Sequence, residues 1–172
     1  GTTNALRVLG RKAGLIVFAG DCLKCIFAVV LVRILFGESY GDSIYLLCIY
    51  TAAGAILGHN FPFYMGFKGG KGIAVTSGVF IAVVPQIAVF ALIMFVLISL
   101  ISKYISLASI CAILFAGTWM MIYYDFKIAY VIVIAFYILL ALWQHRANIV
   151  RLLHGTENKI GQHKPPLVEK TK

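Results

Sequence analysis

Two lysines bracket a glycine pair at Lys68-Gly69-Gly70-Lys71, and Gly72 follows just ahead of a long apolar run. Such a segment sets two ammonium groups and free backbone N–H groups beside a helix N-terminus, which is one way to hold phosphate. It is not a Walker loop: Met65 stands at the first glycine position of G-x-x-x-x-G-K, and Gly72 replaces the Ser or Thr. Lysines also collect in such loops for topology alone, and spacing supports both readings equally. A second polar cluster runs from His145 through Arg146, Asn148 and Arg151 to Gly155 and Glu157. His145 with Asn148, and Asn148 with Arg151, stand three residues apart and share a helix face. That donor stripe suits a phosphate or an acyl carbonyl, although taken alone it fits a helix resting on anionic headgroups better. A third cluster, Gly1-Thr2-Thr3-Asn4-Ala5-Leu6-Arg7, opens the chain as a polar loop.

Other chemistries find no support. His59 has no Glu or second His at ligand spacing, so no metal site is expected. The H-x-x-x-x-D dyad of many lipid acyltransferases is missing, because the fifth residues after the four histidines are Tyr64, Val150, Lys159 and Val168. Asp21, Asp42 and Asp125 lie too far apart for a magnesium-dependent alcohol phosphotransferase. No Ser-His-acid or Cys-His set stands out. Asp21 and Lys24, three apart inside an apolar run, are a functional candidate by default, or a pair that neutralises itself. Ser106 and Ser109 could donate to an anion, though serines at a helix start are more often caps. Cys22-x-x-Cys25 lacks a partner pair, and all four cysteines fall in apolar runs as packing residues.

These groups must be positioned by membrane helices. The 172 residues are 62% hydrophobic and only 12% charged, against about a quarter charged in soluble domains. Net charge is +9, and in a membrane protein that excess points to cytoplasmic loops and anionic lipid or substrate. No basic stretch is interleaved with aromatics along a polar surface, which excludes nucleic acid. Apolar stretches cover roughly 14–36, 43–58, 73–102, 107–124 and 128–144. The third either crosses once or folds back at Pro85. With a hairpin, 12 of the 15 lysines and arginines fall on one side, leaving Lys127 on the other and Lys24 and Arg33 within the first span. The positive-inside rule therefore selects the hairpin. The expected fold is all-α and polytopic: six spans, two of them short (73–84 and 87–102), with both visible ends cytoplasmic. Short helices must thin the bilayer or line a cavity, with any non-helical backbone covered by protein or water. Residues 1–161 read as one transmembrane domain and 162–172 as a flexible cytoplasmic tail.

Taken in order, Gly-x-Thr-Asn-x-x-Arg, Gly-His-x-Phe-Pro with Phe-x-Gly-Gly-Lys-Gly, and His-Arg-x-Asn-Ile-x-Arg-Leu-x-x-Gly-x-Glu resemble the three signature loops of the bacterial acylphosphate:glycerol-3-phosphate acyltransferases. The similarity runs over essentially the whole chain. It implies a multi-pass inner-membrane enzyme with seven spans, the first preceding Gly1, and a cytoplasm-facing site. It also implies a Ser-Gly just before Gly1, whose serine contacts substrate. Such enzymes move a fatty acyl group from acyl phosphate to the first hydroxyl of glycerol 3-phosphate, giving lysophosphatidic acid and phosphate. The resemblance implies Lys71, Asn148 and His145 as catalytic, Lys71 being the central phosphate clamp. It carries Thr3, Asn4, Arg7, His59, Gly69, Gly70, Ser106, Arg146 and Glu157 over as substrate-binding. No cofactor or metal is expected, and the expected state is a monomer surrounded by membrane lipid.

A physical mechanism accompanies it. Two phosphate substrates bring about four negative charges to the membrane surface, matched by cationic and N–H donors. Acyl phosphate is an activated mixed anhydride, so positioning outweighs covalent catalysis and direct attack is expected. The proton goes to a substrate phosphate, with His145 and Glu157 the weaker candidates for a base. Phe61, Phe63 and Tyr64 could border an acyl groove or form an interfacial belt. A small transporter or channel for phosphorylated anions would also want basic loops and short helices, but no inverted repeat is visible.

Overall fold

The computed structural model describes residues 1–161, the side chain of Arg7 excepted. The tail expected over 162–172 lies outside the described residues. Among the described residues seven helices follow one another: α1 (Thr2–Val8), α2 (Arg11–Tyr40), α3 (Ile44–Asn60), α4 (Ile73–Val83), α5 (Pro85–Ser102), α6 (Ile105–Tyr123) and α7 (Ile128–Leu153). Single 3-10 turns lie at Gly41–Ser43 and Phe63–Met65. A helix satisfies its own backbone, which hydrocarbon surroundings demand. Large apolar side chains also face outward along the bundle, among them Ile16, Ile34, Leu100, Ile101 and Leu139. The exterior is as oily as the core of Val29, Ile49, Val79, Ile87, Met120 and Ile134, as an all-α membrane protein requires.

Helices α5, α6 and α7, and the stretch containing α2 and α3, are long and apolar enough to cross a membrane. Helix α4, with 11 residues, is about 16 Å long at about 1.5 Å per residue. α2 and α3 run antiparallel: Lys24 meets His59, Val29 meets Cys48 and Arg33 lies over the Tyr45 ring. α2 is also pinned to α4, where the Cys22 thiol donates to the Ala74 carbonyl at 3.0 Å. α7 reaches α3 through the Tyr137 hydroxyl, which donates to the Ile49 carbonyl.

The chain turns back at Pro85, as charge distribution predicts. Pro85 opens α5, two residues earlier than expected, because its missing N–H and fixed φ suit a first helical position. It drives Val84 out of the helical region, to φ −140° and ψ 81°. Val84 and Ile87 are buried in the core, so the non-helical backbone here is covered by protein. Three contacts show that the ends return to one side. Ile160 N donates to Lys103 O at 2.8 Å, Ser106 bonds Glu157, and Lys71 bonds Asn148.

One local expectation fails. The first residues form α1 rather than a polar loop: Gly1 O accepts from Asn4 N at 3.1 Å and from Ala5 N at 3.0 Å. Ala5 is buried and Leu6 packs on α2 at Gly14, so tertiary packing outweighs the polar composition around them.

Candidate functional site

A hydrogen-bonded chain of side chains joins three distant parts of the sequence. The Lys71 ammonium, just ahead of α4, donates to Asn148 Oδ1 on α7. Asn148 Nδ2 donates to Glu157 Oε1 at 2.7 Å, which fixes which end of the carboxamide faces Lys71. Ser106 Oγ on α6 donates to the same Glu157 oxygen at 3.0 Å, and Arg151 Nε donates to Oε2 at 2.6 Å. Glu157 reaches back because α7 ends in a Schellman motif. Gly155 takes φ +67°, its N–H bonds Leu152 O, and Thr156 N bonds Arg151 O. Burial alone pushes the Glu157 carboxyl up; bonds from Asn148, Arg151 and Ser106, with the Arg151 charge, overcome this and hold it below the ordinary carboxylate range.

Beside this chain lies a cavity of about 530 Å³, lined among others by Asp21, Lys24, His59, Tyr64, Lys68 and Gly70. Lys24 Nζ is 2.7 Å from both Asp21 Oδ1 and His59 Nδ1, and Asp21 Oδ1 is 3.3 Å from His59 Nδ1. The loop between α3 and α4 closes over the end of α3: Gly69 N donates to Asn60 O at 3.1 Å and Gly70 N to His59 O at 3.3 Å. A Cβ at Gly69 would lie 2.0 Å from His59 O, and one at Gly70 would lie 2.2 Å from His59 Nε2. Gly70→Ala should therefore displace the loop, and any activity that depends on Lys71 should fall by about 100-fold, the scale for misplacing a reacting group by about 1 Å; wild-type rates in this variant would contradict the packing.

The expected site residues sort accordingly. Lys71, Asn148, Ser106 and Glu157 come together, and His145 sits one turn deeper on the Asn148 face, buried, with Nδ1 2.8 Å from Ala141 O. His59, Gly69 and Gly70 line the cavity. Three placements differ from what the local pattern suggests. The Gly69 and Gly70 N–H groups bond Asn60 O and His59 O, capping free carbonyls at the C-terminus of α3. Ser106 is no helix cap, since Tyr104 holds that position and the Ser106 hydroxyl turns to Glu157. Arg146 does not join the cluster: it lies over the Trp143 ring at 4.6 Å and bonds Trp143 O. One residue after His145 is about 100° around the helix, off the inward face. Thr3 and Asn4 are exposed on α1, whose N-cap, Gly1, abuts Gly70; the Arg7 side chain is outside the description. Sequence reasoning missed the tie from Asp21 and Lys24 to His59, 35 residues away from Lys24. The ionised pair inside an apolar run was the signal.

Known proteins match this arrangement. The family described as glycerol-3-phosphate acyltransferase matches residues 1–155. A relative of that name from Listeria welshimeri is 43% identical, over 93% of this chain and 78% of its own length. One from Clostridioides difficile is 41% identical, over 95% and 79%. Among solved structures, the glycerol 3-phosphate form of PlsY (YgiH), an integral membrane glycerol 3-phosphate acyltransferase, is similar with a TM-score of 0.83 and 36% identity, over 94% of this chain and 78% of that one. Its lysophosphatidic acid form gives 0.82. With its fold, its linked polar clusters and these likenesses in agreement, the chain belongs to the glycerol-3-phosphate acyltransferase family.

Proposed function

We propose that this chain transfers a fatty acyl group from acyl phosphate to the first hydroxyl of glycerol 3-phosphate, at the cytoplasmic face of a bacterial inner membrane. The observation that carries the reading is the joining of Lys71, Ser106, Asn148 and Glu157 at the end of the bundle that also holds the basic cavity. Lys71 and Asn148 are the groups assigned to substrate, and Glu157 holds Asn148 in place. Lys68 and Lys71 supply positive charge for the phosphates, in a setting where each opposite charge counts for more than in water. The hydroxyl oxygen attacks the acyl carbonyl carbon, the bond from that carbon to the phosphate oxygen breaks, and inorganic phosphate leaves. The hydroxyl proton passes to a substrate phosphate oxygen. No acyl-enzyme forms.

Six crossings, counting α4 and α5 as a short pair, and a monomeric state complete the proposal. The solved relative's glycerol 3-phosphate and lysophosphatidic acid forms correspond to the acceptor and the product of this step. Purified protein given acyl phosphate and glycerol 3-phosphate should release equal amounts of phosphate and lysophosphatidic acid, and acyl-CoA should not replace acyl phosphate. Phosphate release without the lysolipid, or a trapped acyl-protein, would refute the reaction or its direct attack respectively. For sidedness, single cysteines replacing Lys68 and Lys159 should label only from the cytoplasmic side of vesicles; opposite labelling would dismantle the site.

A further inference from the structure

Asp21 and Lys24 lie in α2, far from the three polar loops in sequence, and the acyl-transfer step above assigns no task to the pair's contact with His59. The Asp21 and His59 side chains retain only 13% and 11% of their exposure. Lys24 keeps 43% and faces the cavity, and an ionisable pair set within an apolar helix is a functional candidate by default. His59 Nδ1 faces both the Lys24 ammonium and Asp21 Oδ1, which leaves the Nε2 edge on the far side of the ring. That Nε2 edge lies against Gly70, while the His59 carbonyl accepts the Gly70 N–H. One residue thus grips Gly70 from two sides, and the next residue is Lys71. The thiol bond from Cys22 to Ala74 holds Asp21 level with the first turn of α4.

We propose that Asp21 and Lys24 are positioning residues for acyl transfer, bracing the His59 ring under Gly70 so that the Lys71 ammonium meets Asn148. The inference rests on the acyltransferase reading for its kinetic readout but not for its geometric one. Steady-state rates are measured for wild type, Asp21→Ala, Asp21→Asn, His59→Ala and the Asp21→Ala/His59→Ala double variant, with thermal unfolding alongside. Asp21→Ala should lower kcat about 100-fold, the scale of a lost alignment, with KM for glycerol 3-phosphate little changed. Asp21→Asn, which keeps an oxygen for Lys24, should recover most of the rate. Because Asp21 acts through His59, the double variant should be no slower than His59→Ala alone. Multiplying effects, a wild-type rate in Asp21→Ala, or a raised KM at unchanged kcat would each overturn the proposal. If Asp21→Ala does not fold, the same cycle with Lys24→Met, which removes the other half of the brace, decides. Peptide-resolved amine acetylation supplies the geometric readout: Lys71 should react several-fold faster in the Asp21 variant than in wild type. Unchanged Lys71 reactivity would refute the brace even if the protein proved to catalyse something else, whereas a wild type without turnover would refute only the acyltransferase reading.

Discussion

Replacing Lys71 by alanine is expected to lower kcat/KM for acyl transfer by about 10³-fold, the upper scale for losing one preorganised charge-stabilising donor. The fold should survive. Asn148 keeps its bond to Glu157 when the ammonium is removed, and the loop stays tied to α3 through the Gly69 and Gly70 N–H groups. Helicity and detergent-solubilised Tm should stay near wild type, so the loss is one of chemistry. Lys71→Arg should not restore the rate, since a longer planar fork cannot replace a point charge seated against Asn148 Oδ1. A Lys71→Ala protein that kept a tenth or more of the wild-type rate would remove the phosphate clamp from the mechanism.

Glu157→Ala should be the second most damaging change, with a different signature. Its carboxylate accepts from Ser106, Asn148 and Arg151 together. Removing it leaves three donors without an acceptor, at about 1–3 kcal/mol for each buried group left unpaired. Asn148 is also freed to rotate away from Lys71. Both Tm and kcat should fall, the latter by about 100-fold. Glu157→Gln should recover part of the stability through the Ser106 and Asn148 bonds while leaving Arg151 without its counter-charge. The pH dependence has a fixed sign. The folded carboxyl is held below its ordinary value, so its contribution is full above about pH 4.3 and is lost as pH falls through the lowered folded value. The Tm advantage of wild type over Glu157→Gln should therefore be level at neutral pH and shrink only in acid. An advantage that grew in acid would show that the bonds to Glu157 had been misassigned.

The sequence made the large features plain because each had a strong local signal. Apolar run length located the long helices. The step from basic to acidic loops located the hairpin, and Pro85 marked its turn. On α7, three-residue spacing placed His145, Asn148 and Arg151 on connected faces, and Asn148 and Arg151 do meet one carboxylate. What stayed hidden depended on contacts between helices far apart in the chain. A glycine pair next to lysines looks like an anion cradle until the free carbonyls of His59 and Asn60 are known to lie beneath it. The Asp21–Lys24 pair looks self-contained until α3 brings His59 within 2.7 Å of the ammonium. Ser106 looks like a cap until Gly155 turns the chain and delivers Glu157. In each case a local rule gave way to a partner the one-dimensional pattern could not name.

The break between α4 and α5 carries a consequence for how the two halves of the proposed site stay within reach of each other. A continuous rod over 73–102 would extend about 45 Å at about 1.5 Å per residue, ample to traverse a lipid sheet of about 30 Å. Lys103, Ser106, Asn148 and Glu157 would then emerge in the opposite compartment from Lys71. An even number of passes between Lys71 and Lys103, whether the pair reaches the far leaflet or dips and returns, leaves them on common ground. The stereochemistry of a single imino acid thus decides whether this polypeptide assembles one reaction centre or two useless fragments.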